Sequence, residues 1–361
     1  MPKTDRRQFI QAVATTTVIS PLVGWHVGAA ETSSRIRIGQ IGTKHAHASG
    51  KMATMRKFSD DYEVVGVVEP DADQQKRMEA SSTYRGLKWM TAEQLLAVEG
   101  LQAVAVETEV RDLLVTAHKC IAAKLHVHLD KPAGENLPQF KRLLDASTRQ
   151  QRVIQMGYMY RYNPAFQFLF NAVKNGWLGQ IFEIDAVMSK TVNANTRQHL
   201  AQYRGGSMFE LGCHLMDAIV NVAGKPDRVT AFNRQTWPDQ DNLLDNCFAV
   251  LEYSKTTATI RSALIEVDGG RRRQFVVCGD QGTIDIRPLE PPRVTLTLDR
   301  PRDGFKKGTQ EVALPAIGGR YDGDFQDLAK IIRGEKSTDF SVDHDLAVQT
   351  AVLNASGIAT T

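Results

Sequence analysis

Cysteine is scarce and scattered: Cys120, Cys213, Cys247 and Cys278 are the four in 361 residues. They form no CxxC pair and no metal-like spacing, so a disulfide framework and a cysteine-bound zinc are not expected. They read as small buried apolar fillers. Charge of either sign is not in excess, at a net +3. That balance argues against nucleic acid or an anionic membrane surface as the main partner. No apolar run beyond residue 30 is long enough to span a bilayer, so no membrane anchor is expected. Internal repeats, low-complexity linkers, a carboxylate–histidine helix signature and a GxGxxG turn are all missing. His45/His47 and His126/His128 are i, i+2 pairs, but nothing beside them completes a ligand set. No metal is expected.

The first thirty residues differ from the rest. Asp5-Arg6-Arg7-Gln8-Phe9-Ile10 is a twin-arginine pattern, followed by a modest apolar stretch from Ala12 to Val27 and by Gly28-Ala29-Ala30. The apolar stretch is short and broken by Thr15–Thr17 and Pro21, so it reads as a cleaved secretory signal over 1–30. Its expected partner is the twin-arginine export machinery, which places the mature chain in the periplasm. Lys3, Arg6 and Arg7 against Asp5 leave the remainder close to +1.

From Arg35 onward, apolar strands alternate with helices. Strands are expected at Arg35–Ile41, Tyr62–Glu69, Ala103–Glu107, Leu125–Leu129 and Val153–Met156. Helices are expected at Ala46–Phe58, Asp71–Ser81, Thr91–Val98, Leu113–Ala123 and Leu137–Arg149. Continuous apolar strands separated by helices imply a parallel sheet covered on both faces. After Tyr160 the spacing tightens. Phe182–Met188, Arg228–Asn233, Phe248–Tyr253, Thr257–Glu266, Gln274–Val277, Thr283–Ile286 and Val294–Leu298 read as strands of an antiparallel sheet. Phe325–Arg333 and Asp345–Ala355 close the chain as helices. The fold class is therefore α/β: a Rossmann-like doubly wound domain over 35–157, then an α+β domain over 158–361 with an open, mostly antiparallel sheet and last helices that are free to pack back on the first domain.

Three stretches carry chemistry. The turn Gly39-Gln40-Ile41-Gly42-Thr43-Lys44-His45-Ala46-His47 lies between the first strand and a helix, where a dinucleotide pyrophosphate binds. Lys44 and His47 stand where glycines would be, and Lys44 or His45 could meet a phosphate with charge. Glu69 closes the second strand, where an acid accepts from a ribose 2′-hydroxyl and repels a 2′-phosphate, which favours NAD over NADP. In Asp130-Lys131-Pro132, Lys131 is held extended by the following proline. If that strand end faces a cleft, desolvation there would lower its pKa toward neutrality. In Gly205-Gly206-Ser207-Met208-Phe209-Glu210-Leu211-Gly212-Cys213-His214-Leu215-Met216-Asp217, Ser207 can cap an almost wholly apolar helix. Glu210, His214 and Asp217 then fall at i, i+4 and i+7 on one face. Three ionisable groups on a buried helix point to a pocket.

Taken in order with Gly157-Tyr158-Met159-Tyr160-Arg161-Tyr162-Asn163-Pro164, these features resemble the Gfo/Idh/MocA oxidoreductase family from about Arg35 to the C-terminus. The resemblance implies NAD-dependent hydride transfer at a hydroxyl of a sugar, glycoside or cyclitol, in a homo-oligomer (dimer or tetramer). Lys131 matches the family's EKP lysine, with Asp130 in place of Glu. His214 matches its catalytic histidine, and Glu210 stands where Asp is usual. Thr108 matches the threonine near the cofactor, though Glu109 replaces the following proline. On this reading Lys131, His214 and Glu210 are catalytic: His214 takes the hydroxyl proton, Lys131 hydrogen-bonds the same oxygen, and Glu210 orients the pair. Gly42, Thr43, Lys44, His45, His47, Glu69, Thr108, Asp130 and Lys131 hold the cofactor. Tyr158, Arg161, His199, Tyr203 and Asp217 face the sugar. Glycoside cleavage through a transient keto-sugar, or a non-catalytic carbohydrate-binding relative, are the alternatives.

Overall fold

The computed structural model describes residues 35–360. The leader assigned to residues 1–30 lies outside the described residues. Five strands, β1 (Ile36–Ile41), β2 (Tyr62–Val68), β3 (Ala103–Val106), β4 (His126–Leu129) and β5 (Ile154–Met156), form one parallel sheet in the order β2-β1-β3-β4-β5. All four residues of β3, Ala-Val-Ala-Val, are buried, as a strand covered on both faces must be. One face is covered by α3 (Ala92–Leu96), α4 (Val110–Ala122) and α5 (Leu137–Arg149). The other face is covered by α1 (Ala48–Lys57). The helix α2 (Ala72–Glu79) is capped by Asp71, whose carboxylate accepts from the Asp73 and Gln74 N–H groups.

The chain turns from β1 to β2 on one side and to β3 on the other, so the carboxyl ends of β1 and β3 flank the point where connections diverge. Ligands of open α/β sheets bind in that crevice. Here the residues just past the strand ends are polar and buried: Glu69 after β2, Glu107 after β3, Asp130 and Lys131 after β4.

The second domain is an eight-stranded sheet. Its strands are β6 (Ile181–Val187), β7 (Arg228–Arg234), β8 (Asn246–Glu252), β9 (Thr257–Ala263), β10 (Gln274–Gly279), β11 (Gly282–Leu289), β12 (Pro292–Leu298) and β13 (Gly308–Glu311). Their order is β13-β12-β11-β10-β6-β9-β8-β7, antiparallel except for the parallel β6–β9 pair. Strict alternation turns Cys247, Ala249 and Leu251 of β8 inward. The helices α6 (Pro164–Lys174) and α8 (Cys213–Ala223) back this sheet, and α10 (Val342–Ala355) packs on α8. Cys120, Cys213 and Cys247 are buried and Cys278 half-buried, all as free thiols.

Four local differences from the sequence reading matter. Helix α1 begins at Ala48, leaving His45 and His47 in the turn, and α4 begins at Val110 instead of Leu113. Two helices were not anticipated, α6 and α7 (Ala194–Leu200). β13 was also missed, being too polar to read as a strand. The stretch after Ser207 opens as a single π-turn, Met208–Gly212, before α8. The closing helix α9 (Asp322–Ile332) packs back on the first domain, as the sequence reading allowed, docking on the parallel sheet on the same face as α1. Tyr62 Oη donates to the Phe325 carbonyl (2.5 Å) and Arg333 pairs with Asp61 (2.7 Å).

Candidate active site

A cleft of about 570 Å³ opens at the carboxyl ends of β1, β2 and β3, lined by Gly42, Lys44, Glu69, Pro70, Asp71, Thr108 and the α4 side chains Val115 and Lys119, among others. Gly42 has φ +89, and a Cβ there would sit 2.5 Å from the Thr108 nitrogen. Only glycine lets the turn pass so close to the end of β3. Glu69 accepts from the Thr43 N–H (2.8 Å) and hydroxyl (2.7 Å) through one oxygen, and from Asp71 N–H (3.1 Å) through the other. The second oxygen keeps a lone pair for a ribose hydroxyl. The N–H groups of Lys44 and Ala46 have no acceptor among the described residues. They lie in the turn ahead of α1, Lys44 on this cleft and Ala46 on the neighbouring cavity, where free donors are able to meet a diphosphate. The residues present therefore fit a dinucleotide.

A second cavity of about 360 Å³ shares Lys44 and Glu109 with the first and continues to His45, Lys190, Asn195, His199 and Glu210. It joins the nucleotide cleft to the second domain.

At the seam lies a buried charged network. The Lys131 ammonium, 1% exposed, donates to the Glu210 carbonyl (2.7 Å) and carboxylate (3.0 Å). Burial alone would push this ammonium down, but Glu210, with Cys213 and Asp130, outweighs it and holds Lys131 above the ordinary lysine range. The expected lowering is thus reversed, because the strand end faces a carboxylate instead of an apolar wall. Burial alone would raise the Glu210 carboxyl, and Lys131, His45 and His47 bring it below its usual range instead. Glu210 was expected to orient Lys131 and His214 together; its carboxylate bonds Lys131 and makes no bond to His214 among the described residues. The π-turn explains this, since its i→i+5 hydrogen bonding widens the turn and breaks the i, i+4, i+7 alignment with His214 and Asp217.

His214, 2% exposed, is boxed by the rings of Tyr158 (6.1 Å), Tyr160 (6.0 Å) and His47 (6.5 Å between centroids). Burial, then the nearby Lys131 and His47, holds it well below 6.5, so it stays neutral. The Met159 N–H donates to its Nδ1 at 3.4 Å. A neutral ring that accepts at Nδ1 carries its hydrogen on Nε2, so His214 is a donor there and not the proton acceptor the sequence reading made it.

Asp130 is the hub on the other side. It accepts from His45 Nδ1 (2.8 Å), His47 Nδ1 (3.2 Å) and Lys51 (2.9 Å). Burial would raise its carboxyl, but His45, Lys51 and His47 hold it well below the usual range. An ionised carboxylate only accepts, so His47 donates through Nδ1 and keeps the Nε2 lone pair. Burial lowers His47 to about 4. Beneath, the fully buried Lys51 also reaches Glu107 (2.9 Å). Burial and the neighbouring Asp130 push the Glu107 carboxyl well above its usual range. Lys51, Glu107 and Tyr321 (5.8 Å from the His47 ring) were not singled out from the sequence. A lysine on the inward side of α1, and an acid at the end of an all-apolar strand, were the available signals. His45, His47 and Asp130 do place three ligating atoms within 4.8 Å of one another, with Lys51 occupying the same Asp130 oxygen.

The sugar-facing set divides. His199 is exposed in the second cavity, and Tyr203 packs on it (5.6 Å) beside a separate groove with Arg111 and Arg204. Tyr158, Arg161 and Asp217 do not line the cleft. Arg161 is fully enclosed, joined to Asp217 (2.7 Å) and Asp345 (2.5 Å), and His344 adds a contact to Asp217 (3.1 Å). A guanidinium on a buried segment needs acids around it, and α8 and α10 provide them. Thr108 lines the nucleotide cleft, its hydroxyl donating to the Glu109 carbonyl (3.2 Å).

A parallel sheet with a dinucleotide crevice, joined to an open mixed sheet that brings a lysine and a histidine to its edge, defines a two-domain nucleotide-dependent oxidoreductase. Comparison with known proteins agrees. Residues 36–158 match a family model described as an oxidoreductase family with an NAD-binding Rossmann fold, and residues 166–285 match the GFO/IDH/MocA C-terminal domain. The chain belongs to the Gfo/Idh/MocA family. The uncharacterized oxidoreductase ORF334 of Rhizobium meliloti is 27% identical over 247 residues, covering 67% of this chain and 68% of that protein. Myo-inositol 2-dehydrogenase of Thermotoga maritima is 28% identical over 275 residues, covering 73% and 77%. The structure of UDP-N-acetylglucosamine 3-dehydrogenase GnnA from Acidithiobacillus ferrooxidans superposes with a TM-score of 0.75 at 16% identity, over 91% of this chain and 98% of that one.

Proposed function

We propose that this protein is an exported, NAD-dependent oxidoreductase acting on a hydroxyl of a sugar, glycoside or cyclitol. The observation that carries the reading is the cavity that continues the nucleotide cleft to the second domain, lined there by Glu210, the carboxylate that holds Lys131 and stands four residues before His214. Relatives named as a myo-inositol 2-dehydrogenase and a UDP-N-acetylglucosamine 3-dehydrogenase support the substrate class. Glu69 supports NAD over NADP, since a 2′-phosphate would meet a carboxylate there.

NAD, when bound, supplies the acceptor for the hydride leaving the carbinol carbon. The chain's own groups handle the oxygen and its proton. Lys131 and the His214 Nε2–H donate to the carbinol oxygen and stabilise the negative charge that develops on it. His47, aligned by Asp130, offers a lone pair to the departing hydroxyl proton. Glu210 fixes the Lys131 ammonium, and Lys51 holds Asp130 from below.

Export rests on the twin-arginine leader, and would require the cofactor to travel already bound. A reporter fused to residues 1–30 is expected to reach the periplasm only while Arg6 and Arg7 are intact. The outer face of the eight-stranded sheet, with Phe182 and Phe232 about half exposed, supports a homo-oligomer. The activity is tested with Lys131→Met. Turnover of a polyol or glycoside panel, followed by nicotinamide absorbance, is expected to drop about 10²–10³-fold. The circular dichroism spectrum and NAD binding should be retained. Equal turnover in the variant would remove Lys131 from the mechanism.

A further inference from the structure

Lys190 is not used by the chemistry above. It follows β6 in a short segment pinned to β9, with Met188 N–H on the Arg261 carbonyl (3.0 Å) and Lys190 N–H on the Ala263 carbonyl (3.0 Å). Its side chain lines the cavity that holds Glu210 and His199, half-buried, and has no acidic or hydrogen-bonding partner among the described residues. The acids nearby are already engaged. Glu210 serves Lys131 (3.0 Å). Glu290 is shared by Arg273 (2.8 Å) and Arg320 (2.8 Å). Arg273 also donates to the Ser189 carbonyl (3.2 Å), next to Lys190 in the chain. Burial, with Lys131, Arg273 and Arg320 nearby, pushes the Lys190 ammonium below its ordinary range against the pull of Glu210. The other acid of the cavity, Glu109, pairs with Arg111 (3.2 Å), and Lys44 is balanced by Asp71 (2.8 Å). A partly desolvated lysine among other cations is costly unless something anionic joins it.

We infer that Lys190 is the recognition group for an anionic substituent of the substrate, so that the preferred substrate is a sugar acid or a sugar phosphate and not a neutral sugar. The inference rests on the carbohydrate reading for the rest of the molecule bound. The positive field of Arg273 and Arg320 steers the anion toward the seam, while Lys190 makes the direct contact. The carbinol end then lies toward Lys131 and His214.

The test is equilibrium binding at low salt to the NAD-loaded protein, read by thermal shift and calorimetry. The probes are D-glucuronate, D-glucose 6-phosphate, D-glucose, malonate and inorganic phosphate. Wild type is expected to bind one or both charged sugars at least about tenfold more tightly than glucose. Which of the two is preferred separates carboxylate from phosphate. Lys190→Met should abolish that preference and leave glucose and NAD binding unchanged, and Lys190→Arg should restore it. Lys190-dependent binding of malonate or phosphate without binding of any sugar would support the anion site and remove the carbohydrate reading. Three results overturn the inference: no anion bound more tightly than glucose, a preference that survives Lys190→Met, or a loss of NAD affinity in Lys190→Met. The last would assign Lys190 to the dinucleotide diphosphate.

Discussion

Burial holds His214 well below 6.5 and His47 at about 4, so both rings remain neutral through the range where a free imidazole charges. Both proposed roles need the neutral ring. An imidazolium His47 has no lone pair for the hydroxyl proton. Activity limited by these groups should stay flat as pH falls through 6.5 and drop only nearer 4. The measurement is kcat/KM against pH for wild type, His47→Asn and His214→Asn. His47→Asn should lose the acid limb along with most of the rate. His214→Asn should lower the plateau and keep the limb. An acid limb centred on 6.5 in wild type would show that neither buried ring governs the rate. Lys131 and His214 were visible in the sequence because each sits in a compact motif. Glu210 was legible as their neighbour, but its turning to Lys131 by the π-turn was not, nor was Met159, which reaches His214 through its backbone.

The loop between α7 and α8 shows what one element contributes. Gly206 has φ +51, and a Cβ on it would fall 1.9 Å from the Leu244 carbonyl oxygen, the same atom that accepts from the Ser207 N–H (2.8 Å). Ser207 and Ser262 then exchange hydroxyl-to-carbonyl hydrogen bonds (2.7 and 3.0 Å), fastening the π-turn to β9. This clamp sets where Glu210 meets Lys131. Gly206→Ala should cost at least about 2 kcal/mol through backbone strain and the displaced carbonyl, and should lower Tm accordingly. Gly270→Ala, with open space around it and no left-handed backbone, is the matched control. Equal melting of the two variants would discard the clamp. Elements of this kind are hard to read ahead. The strands of the first domain announced themselves as apolar runs, and Thr91 as a cap. In α6, by contrast, the alternation Phe166-Gln167-Phe168-Leu169-Phe170 mimics a strand, and the Asn163-Pro164 start signal was the better guide. A π-turn leaves no compositional trace.

Of the two long-range features of the molecule, the parallel β6–β9 pairing escaped sequence reasoning because it is not local, whereas the docking of α9 on the parallel sheet was open to it only as a closing helix able to pack back on the first domain. The second has a measurable consequence at Asp324. This α9 carboxyl is buried, neither oxygen has a hydrogen-bond partner among the described residues, and burial raises it from 3.8 to about 7. Below about pH 4 the group is protonated in both folded and unfolded chains and costs nothing. Between about 4 and 7 the unfolded chain releases the proton while the folded chain keeps it, so stability falls as pH rises through this window. Above 7 the loss levels off, at most of order 4 kcal/mol. Depressed histidines work the other way: His47, His126 and His128 sit at about 4, 4 and 3, so the folded protein gains stability as pH rises toward 6.5. The wild-type curve mixes the two. Asp324→Asn removes only the first, and the histidine contribution cancels in the difference between the proteins. Denaturant unfolding at pH 4.5, 6 and 8 should therefore show the variant gaining on wild type at each step up in pH. Parallel curves would mean that Asp324 is ionised in the folded protein, with a cation or water beside it where α9 meets the sheet.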